Sequence, residues 1–165
     1  MPPSRIDAVV CDAGPLIALG RLDLLGLLPR LFRQAYVPEA VLAECVARPA
    51  LLDAQRIRSA CDSGQLIVRA ATPIAARSLG IGERSAIGAA LEISAALLAD
   101  DRAARRQALA LGIIVIGSLG VLVQARRSNL LPQVAPLIEV LRSSGYRLSD
   151  DAARAALTAA GEACR

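Results

Sequence analysis

Short, unbroken apolar runs alternate with segments of helical spacing from one end of the chain to the other. The apolar runs predict strands at Ala8–Cys11, Gln34–Val37, Leu66–Val68, Ala96–Ala99 and Ile113–Ile116. The spacing between them predicts helices over Leu16–Leu28 (stopped near Pro29), the segment after Pro38, Leu51–Cys61, Glu83–Ser94, 102–111 and Ser118–Arg127. Two more helices are expected at Pro132–Leu141 and Asp150–Ala160. Strands that are apolar without alternation are buried on both faces, and strands separated by helices pair in parallel. The expectation is therefore an α/β domain with a small central parallel sheet between helical layers. One domain spans 1–165, with a core of about 6–128 and C-terminal helices at about 132–160.

Composition narrows the chemistry. With 165 residues, 55% of them hydrophobic, the chain is long enough for a core without staples. It contains no His, which removes imidazole as a general base, Ser-His-Asp and Cys-His mechanisms, and His-ligated zinc. All 19 basic residues are Arg, so Schiff-base chemistry and a P-loop lysine are excluded as well. Phosphate transfer through an aspartyl intermediate on Asp12 ranks last for the same reason. An Arg-only surface suits phosphate oxygens, although GC-rich codon usage is the simpler explanation of the missing Lys. Aromatics are too sparse for base-stacking recognition of single strands.

Cys11, Cys45, Cys61 and Cys164 form no CxxC pair, and no signal peptide is recognisable, so the expected compartment is the reducing cytoplasm. The uncharged stretch Gln107–Ala125 is long enough to approach a membrane span. Gly112, Gly117 and Gly120 interrupt it, so it reads as a helix end, a strand and a new helix start.

In open parallel sheets, ligands sit outside the carboxyl ends of the strands. Asp12 closes one apolar run, and Asp100 and Asp101 close another. Glu83 falls in a first helical turn, and Glu44 lies two turns after Pro38. Carboxylates gathered in a low dielectric need a compensating cation, and hard oxygen donors without His point to Mg²⁺ or Mn²⁺. Each acid also suits a structural role: Asp100, Asp101 and Glu83 as helix-start acids, Asp12 in an Asp-x-Gly turn, Glu44 on a solvated face.

The ordered segments VVCDAGPLIALGRLDLL, VPEAVLAE, GIGERSAIGAALE, ALLADDRAAR, GIIVIGSLGVLVQARR and GYRLSDDAARAALTAAGE resemble the PIN-domain family over roughly residues 6–162. They look most like the branch catalogued as a domain of unknown function and related to the toxin ribonucleases of toxin–antitoxin pairs. The resemblance implies a three-layer α/β/α fold and a carboxylate pocket for Mg²⁺ or Mn²⁺. Asp12, Glu44, Glu83 and Asp101 fall on the family's acidic positions, with Asp100 as an extra or water-mediated ligand. Ser118 falls where a Ser or Thr lies near the pocket. Ala13 and Gly14 depart from the pattern, since many members carry hydroxyl or amide side chains there.

The implied activity is metal-dependent RNA hydrolysis, with an antitoxin protein as partner and a homodimer as the assembly. Asp12, Glu83 and Asp101 would bind the metal, and Glu44 would serve a second ion or the attacking water. Arg102, Arg105, Arg106, Arg126 and Arg127 are expected phosphate contacts or, alternatively, solvated helix faces. The competing reading is a non-catalytic nucleic-acid- or protein-binding module that keeps the fold.

Overall fold

The computed structural model describes residues 6–162. Five parallel strands form one sheet: β1 (Ala8–Cys11), β2 (Gln34–Pro38), β3 (Ile67–Arg69), β4 (Ala96–Leu98) and β5 (Val115–Ile116), in the order β3-β2-β1-β4-β5. Helices flank the sheet in an α/β/α arrangement: α1 (Ala13–Arg21), α2 (Leu27–Leu31), α3 (Glu39–Cys45), α4 (Leu52–Asp62), α5 (Ile81–Ile93), α6 (Arg102–Ala110), α7 (Ser118–Arg127), α8 (Ala135–Ser143) and α9 (Asp150–Ala159). The fully buried Val9, Val10, Leu97 and Leu98 on β1 and β4 explain why these strands lack polar alternation.

The strand order fixes where a site can form. From β1 the chain builds outward through β2 and β3, then returns to the other side of β1 for β4 and β5. The reversal lies between β1 and β4, and such a switch point opens a crevice at the strands' carboxyl ends. The register pairs Cys11 with Leu98, and the Asp12 amide donates to the Leu98 carbonyl at 2.9 Å. Asp12 and Asp100–Asp101 therefore leave the sheet side by side.

Three local expectations are corrected. The helix predicted over Leu16–Leu28 is two helices, α1 and α2, separated at Asp23, whose φ of 56° is left-handed. Asp tolerates that conformation better than most residues. The Leu24 amide then bonds back to the Leu19 carbonyl at 2.8 Å, closing α1. Pro29 stops nothing. It stands third in α2, where its missing N–H would have had no intrahelical partner. Similarly, the helix expected from Pro132 starts at Ala135, with Pro136 in its first turn.

Helix α5 is located by an unusually close backbone approach. At Gly88 an added Cβ would stand 1.9 Å from the Thr72 carbonyl oxygen. Around it, Arg84 Nε donates to the Ile74 carbonyl at 2.7 Å, and Glu92 accepts from the Thr72 amide at 2.9 Å and from Arg69 at 2.8 Å. The segment between β3 and α5 is thus strapped along the helix that carries Glu83. Gly88→Ala is expected to lower unfolding stability by about 1–3 kcal/mol, because backbone rather than a flexible side chain must move. Urea titration measures this, and an unchanged midpoint would show that the strap yields freely.

Among the described residues, no helix is long and apolar enough to cross a membrane. Cys11 and Cys45 are buried free thiols and Cys61 is a half-buried one, whereas Cys164 lies outside the described residues. Burial pushes the Cys45 thiol up to about 12 and Cys11 higher still, so both are inert fillers of the core.

Candidate metal centre

All five acids singled out in the sequence line one cavity of about 340 Å³, together with Ala13, Gly14 and Gly80. Each reaches it by a different local device. Asp12 is the N-cap residue of α1, yet its side chain makes no capping bond to the helix. It is 5% exposed, and its Oδ1 is buried without a hydrogen-bond partner. An unpaired buried carboxylate oxygen is costly unless something else satisfies it.

Glu83 is the third residue of α5, where its Oε2 accepts from the Gly80 amide at 2.9 Å. Asp101 caps α6, its Oδ1 accepting from the Ala104 amide at 2.9 Å. The capping roles anticipated for these acids are therefore present, and they hold the carboxylates at the cavity. Glu44 approaches from α3 across Gly82. A Cβ at Gly82 would stand 2.6 Å from Glu44 Oε2, so the carboxylate lies where a side chain at position 82 would displace it.

Asp100 differs from the other four. Its Oδ1 accepts from the Ser118 amide at 2.8 Å, and its Oδ2 accepts from Ser118 Oγ at 2.5 Å and from the Tyr146 hydroxyl. Both oxygens are thus engaged by the chain, and Ser118, 1% exposed, is tied to Asp100 at the start of α7. Tyr146 was not singled out by the sequence reading. Its only signal was a rare aromatic between two terminal helices. Burial, and then the Asp100 carboxylate, push its phenol well above the ordinary range, so it stays a donor.

The electrostatics reflect uncompensated charge. Burial, the largest cause, pushes Asp12 up to about 7; the adjoining Ala13 amide opposes it, and Glu83, Glu44 and Asp101 each add a smaller upward push. Burial and Glu83 likewise raise Glu44. Among the described residues, no Arg forms an ion pair with any of the five acids. Nor do three acidic or Cys side chains stand at ready-made metal-ligand spacing among them. The donor set is nevertheless all hard oxygen, and the orphaned Asp12 Oδ1 is the kind of atom a Mg²⁺ or Mn²⁺ ion satisfies.

The arginines separate into two groups. Arg102 and Arg106 are exposed on α6, while Arg105 donates to the Ala99 carbonyl at 2.8 Å and so braces the end of β4. Arg126 and Arg127 sit at the far end of α7 from Ser118, roughly 13 Å along the helix. Arg126 approaches Glu162 at 3.9 Å, and Arg127 Nε donates to the Ala159 carbonyl at 3.0 Å. The structure thus places this pair against the C-terminal end of the described chain, away from the carboxylate cavity.

No curated protein matches the sequence. A PilT N-terminus domain protein from the hyperthermophilic archaeon Sulfolobus solfataricus P2 is similar in structure, with a TM-score of 0.52 and 21% identity over 72% of this chain and 92% of that one. A domain of a functionally unknown protein from Methanocaldococcus jannaschii DSM 2661 aligns with a TM-score of 0.47 and 18% identity, over 67% of this chain and 90% of that one. The first likeness is one of fold. The family model that matches is described as a PIN domain and spans residues 8–162, from β1 through α9. That match covers the whole five-stranded parallel sheet and the helices around it, and the chain belongs to the PIN-domain family.

Proposed function

We propose that the protein is a metal-dependent endoribonuclease, the toxin of a toxin–antitoxin pair, acting in the cytoplasm as a homodimer restrained by an antitoxin protein. The observation that carries this reading is the single cavity lined by five carboxylates, with Asp12 Oδ1 buried and unpartnered. PIN domains are commonly nucleases, and a chain without His or Lys has few other ways to hydrolyse a phosphodiester.

Asp12, Glu83 and Asp101 would hold Mg²⁺ or Mn²⁺. When bound, such an ion lowers the pKa of water and neutralises charge on the phosphate oxygens. Glu44, exposed at the cavity mouth and raised by burial and by Glu83, is suited to orient the attacking water and accept its proton. The water oxygen bonds to phosphorus in line as the P–O bond to the leaving sugar oxygen breaks. Asp100, with both oxygens already bonded, serves the site by holding the end of β4. Arg102 and Arg106 supply cations for the phosphate backbone, which position a strand without reading its sequence.

The absence of side-chain hydroxyls at Ala13 and Gly14, both in the cavity wall, favours the second reading of a binding module without turnover. Incubating purified protein with mixed structured RNAs in Mg²⁺, Mn²⁺ or EDTA separates the two. Cleavage in either metal, abolished by EDTA, is the expected result. RNA or a partner protein bound with no cleavage in any metal would establish the binding module instead.

A further inference from the structure

We infer that Tyr146 is a positioning residue of the carboxylate site, its hydroxyl holding Asp100 from above Gly14 and joining the C-terminal arm to the pocket. Tyr146 lies in the loop between α8 and α9, where Gly145 has a φ of 81° and the Tyr146 amide bonds back to the Leu141 carbonyl at 3.0 Å. Hydrogen bonds from Arg21 and Tyr146 dock this loop on the elements that bear the acids. Arg21, at the end of α1, donates to the Ser144 carbonyl at 2.9 Å, and the Tyr146 hydroxyl donates to Asp100 Oδ2 beyond β4. Helix α1 begins immediately after Asp12, so the loop clamps the two chain segments that deliver Asp12 and Asp101.

Gly14 faces the same spot. A Cβ there would lie 3.5 Å from the Tyr146 hydroxyl and 3.9 Å from Asp100 Oδ2. The space beside Asp100 that a side chain at position 14 would enter is thus occupied by a hydroxyl arriving from 46 residues beyond Asp100. With Ser118 supplying the other two donors, Asp100 cannot turn without breaking hydrogen bonds to two separate elements. The same restraint orients the backbone of Asp101, which follows Asp100 directly, and Ala99 on the other side of Asp100 is also fixed, its amide donating to the Ile116 carbonyl at 3.0 Å.

The inference rests on the nuclease reading only for its catalytic readout. Tyr146→Phe removes the donor and keeps the ring. It is expected to weaken Mn²⁺ affinity, followed by titration calorimetry, and to lower kcat for RNA cleavage about tenfold, as loss of a hydrogen bond to a charged group implies. KM should stay within about twofold, because the hydroxyl touches no RNA. Amide exchange at Ala104 and Arg105, whose N–H groups are held by Asp101, should accelerate. Adding Gly14→Ser to Tyr146→Phe puts a hydroxyl one bond beyond that Cβ, within reach of Asp100 Oδ2, and should restore all three quantities. Exchange at these amides needs neither metal nor turnover. A wild type that binds Mn²⁺ but cuts no RNA defeats the nuclease reading and leaves the exchange and affinity arms to decide Tyr146. Tyr146→Phe with unchanged exchange, or a defect that the serine fails to repair, overturns the inference.

Discussion

Asp12→Asn is expected to reduce metal-dependent RNA cleavage by roughly 10³-fold or more, on the scale seen when one member of a cooperating catalytic set is removed. The substitution keeps the shape of the side chain and removes its charge. Its backbone anchors are untouched: the amide still bonds to Leu98, and the carbonyl still starts the hydrogen bonding of α1 at Leu16. The fold should therefore survive, as circular dichroism and gel filtration would show. RNA affinity in EDTA should hold or rise, since one negative charge facing the phosphates is gone. Of the five acids, Asp12 is the best choice for this test. Glu83 and Asp101 also cap helices, so replacing either disturbs α5 or α6 together with the site. Undiminished cleavage by Asp12→Asn would sink the nuclease assignment for this cavity.

The parts of the fold legible in the sequence are those where one physical cause dominates. Fully buried parallel strands read as plain apolar runs, and AVVC and ALL, which form β1 and β4, were visible without any partner. The acids after them could be placed at the sheet's carboxyl edge because βα units leave little choice. Convergence itself depended on strand order and on the packing of α3 against α5, which brings Glu44 over Gly82. The break between α1 and α2 was hidden because leucines continue at helical spacing through Asp23, and nothing local marks it as the residue that turns left-handed. Tyr146 was hidden for a different reason. Its role exists only through a contact with Asp100, 46 residues away. The arginines show the same limit: the sequence fixes their charge, but only the packing of α9 on α7 determines that Arg127 meets Ala159 and Arg126 nears Glu162.

In EDTA, the wild-type protein should lose stability as pH rises from about 4 to 7, and Asp12→Asn should lose much less. The sign follows from where the proton is held. Asp12 is raised from 3.8 in the open chain to about 7 in the fold. Across that window the folded state keeps a proton that the unfolded state has released, so raising the pH favours unfolding. The stabilisation is complete below pH 4 and exhausted once the folded carboxyl ionises above pH 7. About three units at 1.36 kcal/mol each amount to roughly 4 kcal/mol, and the 5% exposure of Asp12 leaves little solvent to screen it. Glu44 is shifted the same way and adds to the trend in both proteins. Urea midpoints taken from pH 4 to 8 measure the difference between variant and wild type, which should be small at pH 4 and largest at pH 8. Mn²⁺ should then reverse the alkaline loss in wild type only, by about 2.7 kcal/mol at a hundredfold excess over Kd, because the ion takes the place of the proton on Asp12. A difference that stays flat with pH would mean that Asp12 is ionised without strain. A Mn²⁺ gain equal in both proteins would place the ion elsewhere.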